Sequence, residues 1–163
     1  MAWKVLLTDG LEENGKEILR SKAQMTDQPG ISADDLLKVA GEYDAIIVRG
    51  RTKITPAVFD VAPNLKVVGR AGVGVDNIDL SAAMSHNVIV VNSPTATTLA
   101  VAELAIGLMY AISREIPKAD CGMKNNKWLK KELEGVELNG KTLGVVGFGR
   151  IGRATAQRAA ALG

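Results

Sequence analysis

Apolar residues in this chain come in short, β-branched runs that alternate with stretches of helical spacing. Runs over residues 3–7, 23–26, 45–48, 66–68 and 88–91 predict five strands before residue 95. Turn formers close them, among them Asp9-Gly10, Gln28-Pro29-Gly30 and Asn92-Ser93-Pro94. Between the strands, residues 11–22 place Ile18 and Leu19 at helical spacing. Ser32 with Asp35 three residues on marks an N-cap, opening a helix whose Leu36, Leu37 and Val39 face a core. Thr55-Pro56 puts a cap and a first-turn proline ahead of another helix, and residues 80–86 predict one more. The rhythm is βαβ, which predicts an α/β fold around a parallel sheet.

From Thr97 the pattern changes. Residues 99–116 are apolar almost throughout, interrupted by Glu103 and by Ser113-Arg114-Glu115, and predict one long packed helix at a domain or subunit junction. Burying a lone carboxylate is costly, so Glu103 needs a structural partner there, a backbone amide or an arginine. The Lys-rich stretch 118–140, with Trp128 its only large anchor, reads as a linker with some helix. A buried strand over 142–146 and a helix over 150–162 follow.

Composition narrows the function. The 163 residues suffice for one domain or a domain and a half. A net charge of +2 gives no reason to expect nucleic acid or a membrane surface as partner, and no apolar run reaches the ~18 residues of a membrane span. The single cysteine, Cys121, excludes a disulfide framework and a Cys-rich zinc site. A reducing cytoplasm, with no basic apolar leader, is the expected compartment, and no metal centre is expected.

The sharpest chemical signal is Gly147-Phe148-Gly149-Arg150-Ile151-Gly152, directly after the strand predicted at 142–146 and opening the last helix. The first glycine permits a tight turn, the second lets backbone approach a pyrophosphate, and the third lets helix and strand pack closely. Bare amides and the positive helix end then hold the phosphates. The ordinary alternative is a plain βα turn, and the acidic residue that grips a ribose about 20 residues further on would fall past Gly163.

A second glycine cluster, Gly69, Gly72 and Gly74, does not fit that spacing but surrounds Arg70. With Arg49 and Arg51, three guanidiniums come from the carboxyl ends of two strands expected to be neighbours, the edge where open α/β sheets bind ligands. Arginine suits bidentate capture of carboxylate or phosphate; the alternative is surface arginines solvating strand ends. His86, the only histidine, reads as a solvated helix-terminal residue rather than a base, and Cys121 as an unpaired thiol.

Together, VRGRTKIT (48–55), VVGRAGVGVDNIDL (67–80), VNSPTATTLAVAELAIGLM (91–109) and LNGKTLGVVGFGRIGR (138–153) resemble the D-isomer 2-hydroxyacid dehydrogenases. The resemblance implies a flavodoxin-like substrate-binding domain over 1–97, then an interdomain helix, a linker and the first βα unit of a Rossmann domain over 98–163. It implies NAD as cofactor and a small phosphorylated 2-hydroxy acid as substrate, held by Arg49, Gly50, Arg51, Arg70 and the amides of Gly72, Val73 and Gly74. Val73 also lines the nicotinamide pocket in that comparison, and Gly147, Gly149, Arg150, Ile151 and Gly152 face the pyrophosphate. Lys130 stands where many relatives have an arginine reaching into a neighbouring subunit's site; a lysine cannot make the same fork. Gly50 stands where a serine is common. The family's catalytic arginine, glutamate and histidine follow the Rossmann glycines, so no catalytic residue is expected here and the chain alone is expected to be inactive. A homo-oligomer paired through residues 99–116 and the segment after them is also expected. The rival readings are a different D-2-hydroxyacid dehydrogenase, or an anion-binding or dimerisation module without catalysis.

Overall fold

A computed structural model describes residues 2–163 of the chain. They divide into two compact units, Met1–Ala96 and Thr97–Gly163.

The first unit is a five-stranded, wholly parallel sheet. Its strands are β1 (Lys4–Leu7), β2 (Gln24–Asp27), β3 (Ala45–Val48), β4 (Val67–Arg70) and β5 (Ile89–Asn92), in the order β2-β1-β3-β4-β5. Helices α1 (Glu13–Arg20), α2 (Ala33–Val39), α3 (Pro56–Asp60) and α4 (Leu80–Ser85) make the crossovers. From β1 the chain moves one way to β2, and from β3 it moves the other way to β4 and β5. The order therefore reverses between β1 and β3, the flavodoxin-like switch point at which such sheets open a crevice.

The strands alternate their side chains, and one face is the core. Leu6, Ile46, Val48 and Val68 meet Leu36 of α2, Val58 and Phe59 of α3 and Ala83 of α4, all nearly inaccessible to water. Right-handed crossovers put α1 on the opposite face, where it buries none of its residues completely. Local chemistry fixes the helix starts. The Ser32 hydroxyl accepts the Asp35 amide (3.1 Å), and Asp79 accepts the Ala82 amide (2.8 Å). Thr55 makes no such bond, and α3 starts instead on the preset backbone of Pro56. His86 ends α4, exposed, its Nε2 lying 3.1 Å from Asp60 and its ring stacked on Phe59.

The second unit holds α5 (Thr98–Ser113), α6 (Ile116–Lys124) and α7 (Arg150–Ala161). Three expectations are corrected here. The apolar stretch 99–116 is not one helix: it breaks after Ser113, with Glu115 in the left-handed region (φ 52°). Pro117 has no N–H to offer the Ser113 carbonyl, which accepts the Val136 amide instead (2.6 Å), so the helix cannot run through. Residues 118–140 are correspondingly more helical at their start, since α6 runs to Lys124. Glu103 has the arginine partner expected of it, Arg158 of α7 at 3.6 Å, but it lies exposed on α5 rather than buried, so hydration spares the cost that burial would have imposed.

The third correction concerns residues 142–146, which form no strand. A parallel strand exists only by its ladder to a neighbour, and none is present among the described residues. The segment runs beside α5 and α7, leaving an apolar groove of roughly 320 Å³ lined by Ile106, Met109, Tyr110, Leu143, Val145 and Ala156 among others.

Candidate functional site

The carboxyl ends of β1, β3 and β4 bring the first set of candidates together. Asp9 lies two residues past β1, Arg49 directly follows β3, and Arg70 ends β4 in register with Val48. Asp9 and Arg49 thus meet at the switch point.

Asp9 organises this edge. It is 6% exposed, and its Oδ2 accepts the backbone N–H groups of Arg49 (2.7 Å), Arg51 (3.2 Å) and Thr52 (3.2 Å). Its Oδ1 accepts the Thr52 hydroxyl at 2.6 Å. Burial alone would raise the Asp9 pKa; the Thr52 hydroxyl and the three amides outweigh burial and hold it below the ordinary 3.8, so the carboxylate is charged.

The opposite side of the same loop is held by donors. Arg70 Nε donates to the Arg49 carbonyl (2.9 Å), and Asn77 Nδ2 donates to the carbonyls of Arg49 (3.3 Å) and Thr52 (2.7 Å). Arg51 folds back: its Nε lies 3.5 Å from Asp9, and a terminal nitrogen donates to the Thr8 and Ile31 carbonyls, each at 3.3 Å. The Arg49 guanidinium is exposed and makes no hydrogen bond or ion pair among the described residues. Of the three arginines, Arg49 is therefore the one presented free to solvent.

Beyond β4 the glycine loop is tied at its carbonyls. Gly72 O accepts the Ser93 amide (2.9 Å), and Val73 O accepts the Asn92 side chain (2.5 Å). The Gly72 amide, expected to be open, donates instead to the Arg70 carbonyl (2.8 Å), whereas the amides of Gly50, Val73 and Gly74 have no protein acceptor among the described residues. Open amides beside guanidiniums are the parts of an anion site. Gly50 has nothing within 4 Å of where a Cβ would sit, so a serine fits there.

In the second unit the glycine turn has the shape its spacing predicts. Gly147 adopts φ 91°, which favours glycine; Gly149 is the extended N-cap of α7; and a Cβ on Gly152 would run into the Gly147 carbonyl. Nothing lies near the Cβ positions of Gly147 and Gly149, leaving bare backbone ahead of the first-turn amides of Arg150 and Ile151. These residues fit a pyrophosphate. Lys130 lies exposed in a turn between α6 and α7. Cys121 is an exposed free thiol, and no cluster suited to a metal ion occurs among the described residues.

Three residues of the first site escape sequence reasoning: Asp9, Thr52 and Asn77. Asp9-Gly10 reads as a turn, and nothing local links position 9 to an amide forty residues away. A lone acid at a strand's carboxyl end, opposite a loop with two arginines, is the only signal it leaves.

Comparison with known proteins adds the family. The sequence model of the D-isomer specific 2-hydroxyacid dehydrogenase catalytic domain matches residues 5–161. D-3-phosphoglycerate dehydrogenase of Methanocaldococcus jannaschii is 46% identical, and D-3-phosphoglycerate dehydrogenase 2, chloroplastic, of Arabidopsis thaliana is 47% identical. Each comparison covers 98% of this chain, which spans 30% and 26% of those relatives' lengths. Among solved structures, a Thermus thermophilus protein matches with a TM-score of 0.89 at 33% identity, covering 98% of this chain and 53% of that one. An NADPH-dependent glyoxylate/hydroxypyruvate reductase of Sinorhizobium meliloti, solved with NADP and malonate, matches at 0.79 and 28%, covering 100% and 51%. A sheet order of β2-β1-β3-β4-β5, a glycine turn opening a helix and a match along nearly the whole sequence agree: the chain belongs to the D-isomer specific 2-hydroxyacid dehydrogenases.

Proposed function

We propose that the chain supplies the substrate-binding domain and the pyrophosphate turn for NAD-dependent oxidation of D-3-phosphoglycerate to 3-phosphohydroxypyruvate, the first step of serine biosynthesis. The observation that carries this reading is the carboxyl edge of the sheet, where the unpaired Arg49 guanidinium, with Arg51 and Arg70 tied to the same loop, shares the ends of β3 and β4 with the open amides of Gly50, Val73 and Gly74. A phosphorylated acid presents two anionic groups, and a guanidinium fork with open amides suits both. Relatives at 42–47% identity that bear the name D-3-phosphoglycerate dehydrogenase support the same substrate.

In this reading Gly147, Gly149, Arg150, Ile151 and Gly152 would hold the NAD pyrophosphate, Val73 would border the nicotinamide, and Lys130 would serve a neighbouring subunit's site. When bound, NAD supplies the hydride acceptor. The chain's own residues bind and orient the acid, and the chain alone does not oxidise it. Its only histidine, His86, sits at the end of α4 against Asp60 and the Ala82 carbonyl, with no arginine in the contact. We place the protein in the cytoplasm as a homo-oligomer; no helix among the described residues is long and apolar enough to cross a membrane.

Calorimetric titration with D-3-phosphoglycerate, run beside Arg49→Ala, tests the reading. Heat from the native chain that disappears in the variant supports it. Heat that persists unchanged in Arg49→Ala, or none from the native chain at millimolar ligand, overturns it.

A further inference from the structure

The loop that carries Arg49 and Arg51 has no regular secondary structure, yet over residues 49–52 three of its four amides and two of its four carbonyls are hydrogen-bonded to side chains. From below, one carboxylate accepts the amides of Arg49, Arg51 and Thr52. From above, Asn77 and Arg70 donate to the carbonyls of Arg49 and Thr52. The Gly50 amide lies between these contacts and is left open. Such a pattern fixes the backbone so that one amide and one guanidinium project outward together.

We propose that Asp9 is the positioning residue of the anion site: buried under the sheet edge and bonded to three amides and a hydroxyl of the Arg49–Thr52 loop, it shapes that loop and thereby sets the site's affinity without touching the ligand. The inference rests on the anion-binding reading given above. Three features single Asp9 out. Among the described residues, no other side chain engages three amides of one loop. Its second oxygen is aimed by the buried Thr52 hydroxyl, so the carboxylate cannot rotate without losing a 2.6 Å bond. Its charge also holds Arg51 Nε at 3.5 Å, which leaves Arg49 as the exposed guanidinium without a protein partner among the described residues. Hydrogen bonds to an ionised acceptor are the strong ones, and a buried site strengthens them further.

Asparagine at position 9 keeps an oxygen for the three amides but loses the charge and replaces the oxygen that accepts the Thr52 hydroxyl with an NH2 donor; alanine loses every acceptor. The test pairs Asp9→Ala and Asp9→Asn in this chain with two readouts, amide hydrogen exchange at residues 49, 51 and 52, and calorimetric titration with D-3-phosphoglycerate and with inorganic phosphate. In Asp9→Ala the three amides should exchange at least about tenfold faster and the affinity should fall by about tenfold or more, with a cooperative melt retained. In Asp9→Asn, which keeps the acceptor for the amides but not the charge, exchange and affinity should recover in part, to values between those of Asp9→Ala and the native chain, a graded rescue that a merely packed residue would not give. Equal exchange and equal affinity in Asp9→Ala and native chain overturn the proposal.

Should Asp9→Ala fail to fold, Thr52→Val and Thr52→Ser decide. The valine variant should loosen amides 51 and 52 and weaken binding a few-fold, the serine variant should restore both, and an unchanged valine variant overturns the proposal. If the native chain binds neither ligand, the anion-site reading fails by itself. Exchange then still decides the anchor: faster in Asp9→Ala upholds it, unchanged sinks it.

Discussion

The guanidinium of Arg70 occupies the space that a side chain at Gly72 would need. Arg70 ends β4 and Gly72 lies two residues on, so glycine here leaves Arg70 free to reach the Arg49 carbonyl at 2.9 Å. Gly72→Ala should expel the guanidinium from that seat, release one tie on the Arg49 loop and weaken anion binding by about tenfold, the worth of one charge-assisted hydrogen bond. Gly50→Ser, which meets nothing within 4 Å, should bind as the native chain does. Titrating both variants with D-3-phosphoglycerate checks the contrast; equal affinities would show that the Arg70 seat is irrelevant.

A parallel argument applies to the second glycine turn. A Cβ on Gly152 would meet the Gly147 carbonyl, and Gly147 itself sits at φ 91°. Gly152→Ala should push the turn off the start of α7 and lower the melting temperature, while Gly149→Ala, in open space and extended, should be tolerated in folding. Thermal melts of the two variants measured together would decide; a Gly149 variant less stable than the Gly152 variant would contradict the geometry.

Phe59 is the largest of the fully buried side chains, 1% exposed, between the sheet and the ring of His86 at 5.8 Å. Phe59→Ala should cost about 3–5 kcal/mol, because both transfer and cavity terms apply. Urea unfolding of the first unit gives the number, and a loss under about 1 kcal/mol would mean the core collapses onto the gap.

Stability should also depend on Asp9 in acid. Its pKa is lower in the folded chain than the ordinary 3.8, so its stabilisation is fully present above that ordinary value and is lost as pH falls through the folded value. Asp44, paired with Lys66 and with the Lys4 amide, is lowered likewise and adds to the same limb. Urea midpoints measured from pH 6 downward should fall in acid, and the fall should be shallower in Asp9→Asn. An identical slope in the two proteins would remove Asp9 from the account.

Self-association is expected through α5. Leu104, Leu108 and Ile112 follow one another at four-residue spacing and are 61%, 52% and 77% exposed, an apolar stripe left open among the described residues. Light scattering at micromolar concentration should report a homo-oligomer, and Leu108→Glu should dissociate it. A monodisperse monomer of the native chain would rule the pairing out.

The first unit was legible in the sequence because each strand is short and bounded by its own turn, and β3, β4 and β5 are rich in Val and Ile. All five strands predicted there exist, and β4 simply runs on to include Arg70. The strand-end placement of Arg49 and Arg70 was legible too, since it follows from the strands. Asp9, Thr52 and Asn77 were not, because their roles are contacts across 25 to 43 residues of sequence. The second unit was harder for a different reason. Apolar content over residues 99–116 reads as one helix until the missing N–H of Pro117 is weighed, and the run at 142–146 has strand-like composition without a strand to pair with. Periodicity reports what a segment can do alone; a ladder is a property of two segments.

The bond between the Val136 amide and the Ser113 carbonyl brings the two ends of the intervening segment, α6 and the Lys130 turn included, back to one point. That segment is a handle rather than a spacer. Its length can vary while α5 and the residues leading to α7 keep their places, and doubling it would add only about 0.6 kcal/mol of closure entropy. How far Lys130 extends from the body of the second unit can therefore drift between relatives independently of the glycine turn, as an adjustable arm on a fixed mount.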